Sequence, residues 1–454
     1  MKTIYYSGIL FLTLFLAVPA AGQTNEGTNF WFGFMQHRDV GQNSKAVIIT
    51  SKHNTSGTIR IPLQSFQQNF TVSANSVTII QMPVITENTA SEVIEDRGIQ
   101  VVSDEPVSVY IHQYHAMRSD ATLVLPVSSL GQEYYAVTYQ GLLDQGVVYP
   151  SEFLLVGVED TTHISVTVSD QTKAGKPAGT TFQVILNPGE TYQVQAGKGT
   201  GDMTGSYITG DKKFSVLAGA AWTQVPTGCD FRDNLLEQML PVSTWGKQFI
   251  SAPFAHMSYD LFRVIASENN TVVTVQGLTT QQYTLQAGQF AEYKRSEATF
   301  ISATKPVMVA QFLIGSNCSG YAPLGDPSLL VLNSIEQIRD TVTLYNSHFE
   351  AIVENYINLV MKTVDVAGTI FDGAPVTSVG TVQTVAANPA YSYVQVKVNE
   401  GAHTIISQGC GVIASAYGYG NVESYAYGGG ASFKPLSAKS LIPPGGCLHD
   451  TLYF

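Results

Sequence analysis

The sequence predicts an all-β protein built from about four pseudo-repeats of roughly 100 residues, and three observations carry that prediction. Of the 454 residues 44% are hydrophobic and only 13% are charged, with 40 Gly and 23 Tyr. A chain this apolar buries a large core, and the mixture suits half-buried strands and tight turns better than solvated helices. One phrase recurs about every hundred residues: IQVVSDEPVSV at 99–109, YITGDKKFSV at 207–216, FISATKPVMV at 300–309 and, more loosely, HTIISQGCGVI at 403–413. Between the phrases lie pairs of apolar runs joined by polar turns, at 47–50 with 58–61, 153–158 with 163–168, 261–266 with 271–275 and 357–361 with 368–371, which read as hairpins.

A connector also repeats, LPVSSLGQEY at 125–134 and LPVSTWGKQF at 240–249. It divides a β region spanning 23–434 into units 30–125, 126–238, 239–335 and 336–434. Short strands at a spacing of about 8 to 12 residues give each unit the pattern of a β-sandwich. The expected arrangement is sandwich-like units in tandem; a propeller-like ring is the alternative, because it leaves the same linear period. The one segment that could be helical is 233–239, where Leu235, Leu236 and Met239 could share a face, but one or two turns is all that fits and it reads as a boundary turn.

Residues 1–22 read as a signal peptide: Lys2, an apolar stretch at 9–18, then Ala20, Ala21 and Gly22. The stretch is short for a bilayer span and no later segment supplies one, so a secreted or cell-surface protein without a membrane span after cleavage is expected. Residues 435–454, with Pro435, Pro443, Pro444, Gly445 and Gly446, read as a linker and the start of a further module. The net charge of −12 argues against a nucleic-acid partner, whose phosphates require neutralisation by Lys and Arg.

Four cysteines, Cys229, Cys318, Cys410 and Cys447, contain no C-x-x-C spacing, and in an oxidising compartment they point to disulfides rather than a metal. Three pairings stay open. Cys229 and Cys318 follow the same strand in consecutive units, so a bond between them would hold those strand ends within about 7 Å.

No nucleophile-elbow, zincin, P-loop or dinucleotide motif occurs, so no catalytic residue, cofactor or metal is expected and the chain reads as no enzyme. Scattered carboxylates of a carbohydrate-active enzyme leave no local motif and stand as an alternative. His112 and His115 are three apart on an expected strand, which sends them to opposite faces. Tyr417, Tyr419, Tyr425 and Tyr427, interleaved with Gly, are the candidate ligand surface, since Tyr joins a flat apolar ring to a polar tip; strand packing with exposed hydroxyls is the competing reading and the favoured one. Asn54, Asn69, Asn269 and Asn317 begin N-x-[ST] triplets, and Asp340 and Asp450 begin Asp-Thr acceptor-like pairs.

Taken together, residues 99–109, the connector at 125–134, Gly228-Cys229-Asp230 with Leu236 to Pro241, Trp245-Gly246, the segment 326–336 and the Tyr/Gly stretch 416–429 resemble the amino-terminal domain of the IgGFc-binding protein family, in an exported bacterial form. The resemblance spans nearly all of the mature chain. It implies an extracellular, non-enzymatic binding or adhesion module whose partner is a protein or glycan, with immunoglobulin or a mucin-like glycoprotein among the candidates. It also implies a Cys229 to Cys318 disulfide. A Gly-Asp-Pro-His self-cleavage site found in neighbouring domains of the family does not carry over, because Gly325-Asp326-Pro327 is followed by Ser328 and reads as a turn. A structural spacer projecting downstream domains is the other alternative.

Overall fold

The computed structural model describes residues 24–433 and residue 436. The expected signal peptide, nearly all of the expected linker, Cys447 and Asp450 lie outside the described residues. Secondary structure is almost entirely antiparallel strand.

Outer strands alternate as a half-buried sheet requires: in Thr271–Gln276 every other residue, Thr271, Val273 and Val275, is buried. The recurring phrase becomes a long strand, Ile99–Tyr114, Tyr207–Thr223 or Thr299–Leu313, which serves two sheets. The first half of Ile99–Tyr114 is flanked by Gly27–Phe32 and Thr55–Ile61; its second half is flanked by Ser44–Ser51 and Ser119–Val124. Between the halves, exposed Asp104, Glu105 and Pro106 are skipped by the ladder, which passes from Asn29↔Val102 to Gly27↔Val107. Proline has no N–H to give a ladder and is tolerated at such a bulge. The same shift occurs between Thr209 and Phe214 and between Ser302 and Val307, so the phrase encodes the bend that carries one strand from sheet to sheet.

Three sheets therefore share one strand order, with the long strand in the middle. The runs expected as hairpins are thereby corrected: 47–50 and 58–61, 153–158 and 163–168, and 261–266 and 271–275 flank the long strand on opposite sides instead of pairing with each other, and 357–361 and 368–371 fall in different sheets. In the last part of the chain the corresponding strand is divided into Gly401–Ser407 and Val412–Gly420, and its sheet divides with it. Gly411, at φ 108°, stands at the break with its would-be Cβ 2.2 Å from the Arg339 carbonyl, a place only glycine fits.

The connector forms a single 3-10 turn, Val127–Ser129 or Val242–Thr244, and reaches back to the preceding sheet. A Cβ built on Gly27 would lie 2.4 Å from Pro126 Cβ, one on Gly131 2.4 Å from Pro241 Cβ, and one on Gly246 2.3 Å from Ser334 Cβ. These are the glycines that pair with Val107, Phe214 and Val307 at the bends.

The inner strands Ser119–Val124, Asp233–Gln238, Ser328–Val331 and Glu423–Gly428 are buried on both faces. Each packs against the next, and the last packs against the first. Ser119 Oγ donates to the Ser424 carbonyl at 2.7 Å, Arg339 Nη1 donates to Asn25 Oδ1 at 2.6 Å, and Thr24 bridges Ser432. The sheets thus close into a ring, the alternative arrangement rather than an open tandem row. The segment 233–239 is also corrected: its core is the strand Asp233–Gln238, not a boundary turn of one or two helical turns. Burial of both faces removes the alternation that marks a strand, and an apolar run then imitates a helix face.

Candidate ligand-binding face

One end of the ring, where the inner strands begin, gathers side chains from distant parts of the sequence. Trp222, near the end of Tyr207–Thr223, donates its indole N–H to the Arg232 carbonyl at 3.0 Å and meets Tyr149 edge-on at 5.0 Å. Three guanidinium groups lie against that indole, with carbon-to-centroid distances of 4.5 Å for Arg38, 4.8 Å for Arg232 and 5.4 Å for Arg118. An indole face attracts cations through its quadrupole.

Local geometry fixes each arginine. Arg118 follows a tight turn in which Ala116 and Met117 have positive φ, and Arg232 follows Phe231, also at positive φ. Arg38 Nη1 and Arg118 Nη1 both donate to Asp39, at 2.7 and 3.1 Å, and Arg232 Nη1 donates to Asp144 at 3.2 Å. Asp39 is placed by His37, whose Nδ1 accepts the Asp39 N–H at 3.0 Å while its Nε2 lies 3.1 Å from Asn234 Oδ1. Burial pushes the His37 imidazole down to about 3, with Arg118 adding to the effect. The ring is therefore neutral, with its proton on Nε2.

Around the arginines the turns present apolar side chains to solvent: Met117 is 48% exposed, Phe231 42% and Leu143 60%. Leu143 sits on the hairpin Leu142–Asp144/Val147–Tyr149, whose turn residues Gln145 and Gly146 both have positive φ, the geometry that suits a two-residue hairpin. The Phe231 loop is braced from the next sheet. Cys229 and Cys318 form a disulfide with Cα atoms 5.8 Å apart, and Gly315 N donates to the Val225 carbonyl at 2.8 Å.

Beneath this face lie four buried carboxyls, Asp120, Asp233, Asp326 and Glu423. Asp120 joins three inner strands: Oδ2 accepts from Leu236 N (2.9 Å) and Leu329 N (3.3 Å), and Oδ1 from Ser328 Oγ (2.6 Å). Burial pushes Asp120 up to about 8 against these bonds, and Glu423 up to about 7. Asp233 is raised by burial and then by the nearness of Asp326, Glu423 and Asp120. Asp326 is raised by burial despite Arg118 and Arg232. Among the described residues no three His, Cys, Asp or Glu side chains come together so as to hold a metal ion.

The tyrosines named as a candidate ligand surface are placed otherwise. Tyr417, Tyr419, Tyr425 and Tyr427 are all 0% exposed. Tyr417 donates to Asn358 Oδ1, Tyr419 to the Ala255 carbonyl, Tyr425 to Asn355 Oδ1 and Tyr427 to the Tyr345 carbonyl. Glycine between them makes room for rings instead of exposing them: a Cβ on Gly418 would lie 2.5 Å from the Tyr425 ring. Their role is core packing with satisfied hydroxyls. His112 is buried, its Nδ1 3.1 Å from Ser347 Oγ, while His115 sits beyond the strand in the turn before Arg118. Asn54, Asn69, Asn269 and Asn317 are all exposed.

The Trp222 face escaped sequence reading because Arg38, Arg118 and Arg232 are far apart in the chain. A usable signal existed: Arg118 and Arg232 stand at the same position, one residue before consecutive inner strands.

Fold and face together define an all-β scaffold whose surface carries three partly exposed arginines, backed by the buried indole of Trp222, and exposed apolar side chains on the neighbouring turns. A family model described as "IgGFc binding protein" matches residues 120–418, well over half of the chain. The chain belongs to that family. A curated relative, the IgGFc-binding protein of Homo sapiens, is 27% identical over 317 residues, which cover 67% of this chain and 6% of that protein. The chain therefore spans a small part of that relative's length.

Proposed function

We propose that the chain is an extracellular, non-enzymatic module that binds a protein partner through the Trp222 face. The observation that carries the reading is the convergence of three arginines on one indole inside a rim of exposed apolar side chains, the composition that dominates interface energetics. Family membership supports it, since the human relative is named for Fc binding. The disulfide suits an oxidising, extracellular setting.

The test immobilises immunoglobulin Fc, a mucin glycoprotein and a glycan array and measures binding of the chain. Met117→Asn with Phe231→Asn strips the rim while keeping residues that accept positive φ. Loss of about tenfold or more in affinity is expected, against no change for Leu278→Ser on another exposed surface. Equal binding by the rim variant and the unaltered chain would refute the face; hydrolysis of an array glycan without retention would refute the class.

A further inference from the structure

We propose that the partner's contact at the Trp222 face is an acidic protein segment, with an Asp or Glu carboxylate seated among Arg38, Arg118 and Arg232 and aliphatic or aromatic neighbours on the rim. The inference deepens the proposed function and rests on it.

The guanidinium groups are incompletely used. Each spends Nη1 on an internal acceptor, and among the described residues no hydrogen bond occupies Nη2 of any of the three. Arg38 Nε and Arg118 Nε are buried and without a partner. The side chains keep 17–28% of their surface exposed and no Nη2 is among the buried unpaired atoms, so an incoming acceptor can reach it. A carboxylate, which accepts N–H bonds from planar guanidinium groups, is the acceptor that suits such donors.

The carboxylates bonded at the face, Asp39 and Asp144, take only Nη1 of the three guanidinium groups, and each Nη2 is left to complement the charge of an acidic partner. Asp230, exposed beside Phe231, adds a third carboxylate on the same loop.

The rim decides the kind of acid. Met117 and Phe231 directly precede Arg118 and Arg232, and Leu143 precedes Asp144, the acceptor of Arg232, so exposed apolar area adjoins the arginines along the chain. A sugar acid or free phosphate presents hydroxyls and oxygens that these side chains cannot bond. An acidic residue flanked by Leu, Ile or Phe fits both centre and edge.

The experiment displays a library of random 12-residue peptides to the whole chain and sequences those retained. Enrichment of Asp or Glu beside apolar residues is expected. Retained peptides should bind about tenfold more weakly to Arg118→Gln and to Arg232→Gln, with Arg118→Lys in between, and more weakly as NaCl rises, while circular dichroism melting stays near that of the unaltered chain. No enrichment, enrichment without acidic residues, or undiminished binding by both glutamine variants overturns the inference. Binding of sialylated glycans or of a second copy of the chain, lost in the arginine variants in place of peptide binding, overturns it too. If the rim variant loses its protein partner while the arginine variants keep theirs, the acidic contact fails and the proposed face survives; if neither set matters, both fail.

Discussion

Replacing Gly131 by Ala tests how the sheets are spaced. The added methyl would lie 2.4 Å from Pro241 Cβ, where carbon atoms rest at about 3.5 to 4.0 Å, so the two backbones must separate by more than about 1 Å. Neither yields easily. Pro241 is fixed by its ring, and its turn is tied by Thr244 N to the Pro241 carbonyl at 2.9 Å and by Trp245 Nε1 to the Leu240 carbonyl at 3.0 Å. Gly131 is held on its side by pairing with Phe214 and by its N–H donating to Tyr134 Oη at 2.8 Å. Overpacking at a rigid contact costs about 1–3 kcal/mol. The assay is a double-mutant cycle in urea unfolding, with Gly131→Ala, Pro241→Gly and the pair. Because Pro241→Gly removes the opposing Cβ, the pair should be more stable than the sum of the single losses by about 1 kcal/mol or more. Additivity within about 0.5 kcal/mol would refute the contact as the reason for glycine.

Two further outcomes concern stability. Cys229→Ser, or reductant added to the unaltered chain, should lower the melting temperature in calorimetry by the equivalent of about 2–5 kcal/mol; an unchanged transition in both would count against the brace on the Phe231 loop. Between pH 6.5 and 8.5 the urea midpoint should fall. Asp120 and Asp260 are pushed by burial up to about 8 and Glu423 up to about 7. The unfolded chain gives up these protons at lower pH than the folded one, so their contribution is full below the ordinary carboxyl range and lost as pH rises through the folded values. His37 and His112, pushed by burial down to about 3, act in the opposite sense but below pH 6.5, outside the chosen window. Asp120→Asn should flatten the slope, and a midpoint that rises with pH would contradict the account.

How much was legible beforehand depended on whether the relevant signal was local. The bend in each long strand is written in contiguous residues such as Asp104, Glu105 and Pro106, so the recurring phrase marked its place, although not that the strand bends there. The strand Asp233–Gln238 was missed because both its faces are buried, leaving no alternation to read. Tyr417 to Tyr427 stood open between a ligand surface and strand packing because composition says what a tyrosine does at a surface, not whether it is at one; the structure buries all four. Their burial follows from ring closure, which packs Val412–Gly420 and Glu423–Gly428 between neighbours. The arginine cluster depends on the same closure: residues 38, 118 and 232 meet only once the first and second sheets stand side by side.

Closure of the ring also sets how the molecule bears tension. In an open row of sheets, a pull between Thr24 and Ser432 would load every junction in series. Here those residues face each other across one bridge, reinforced by Arg339 to Asn25. Force between them falls first on that short seam, and the inner sheets are shielded until it parts.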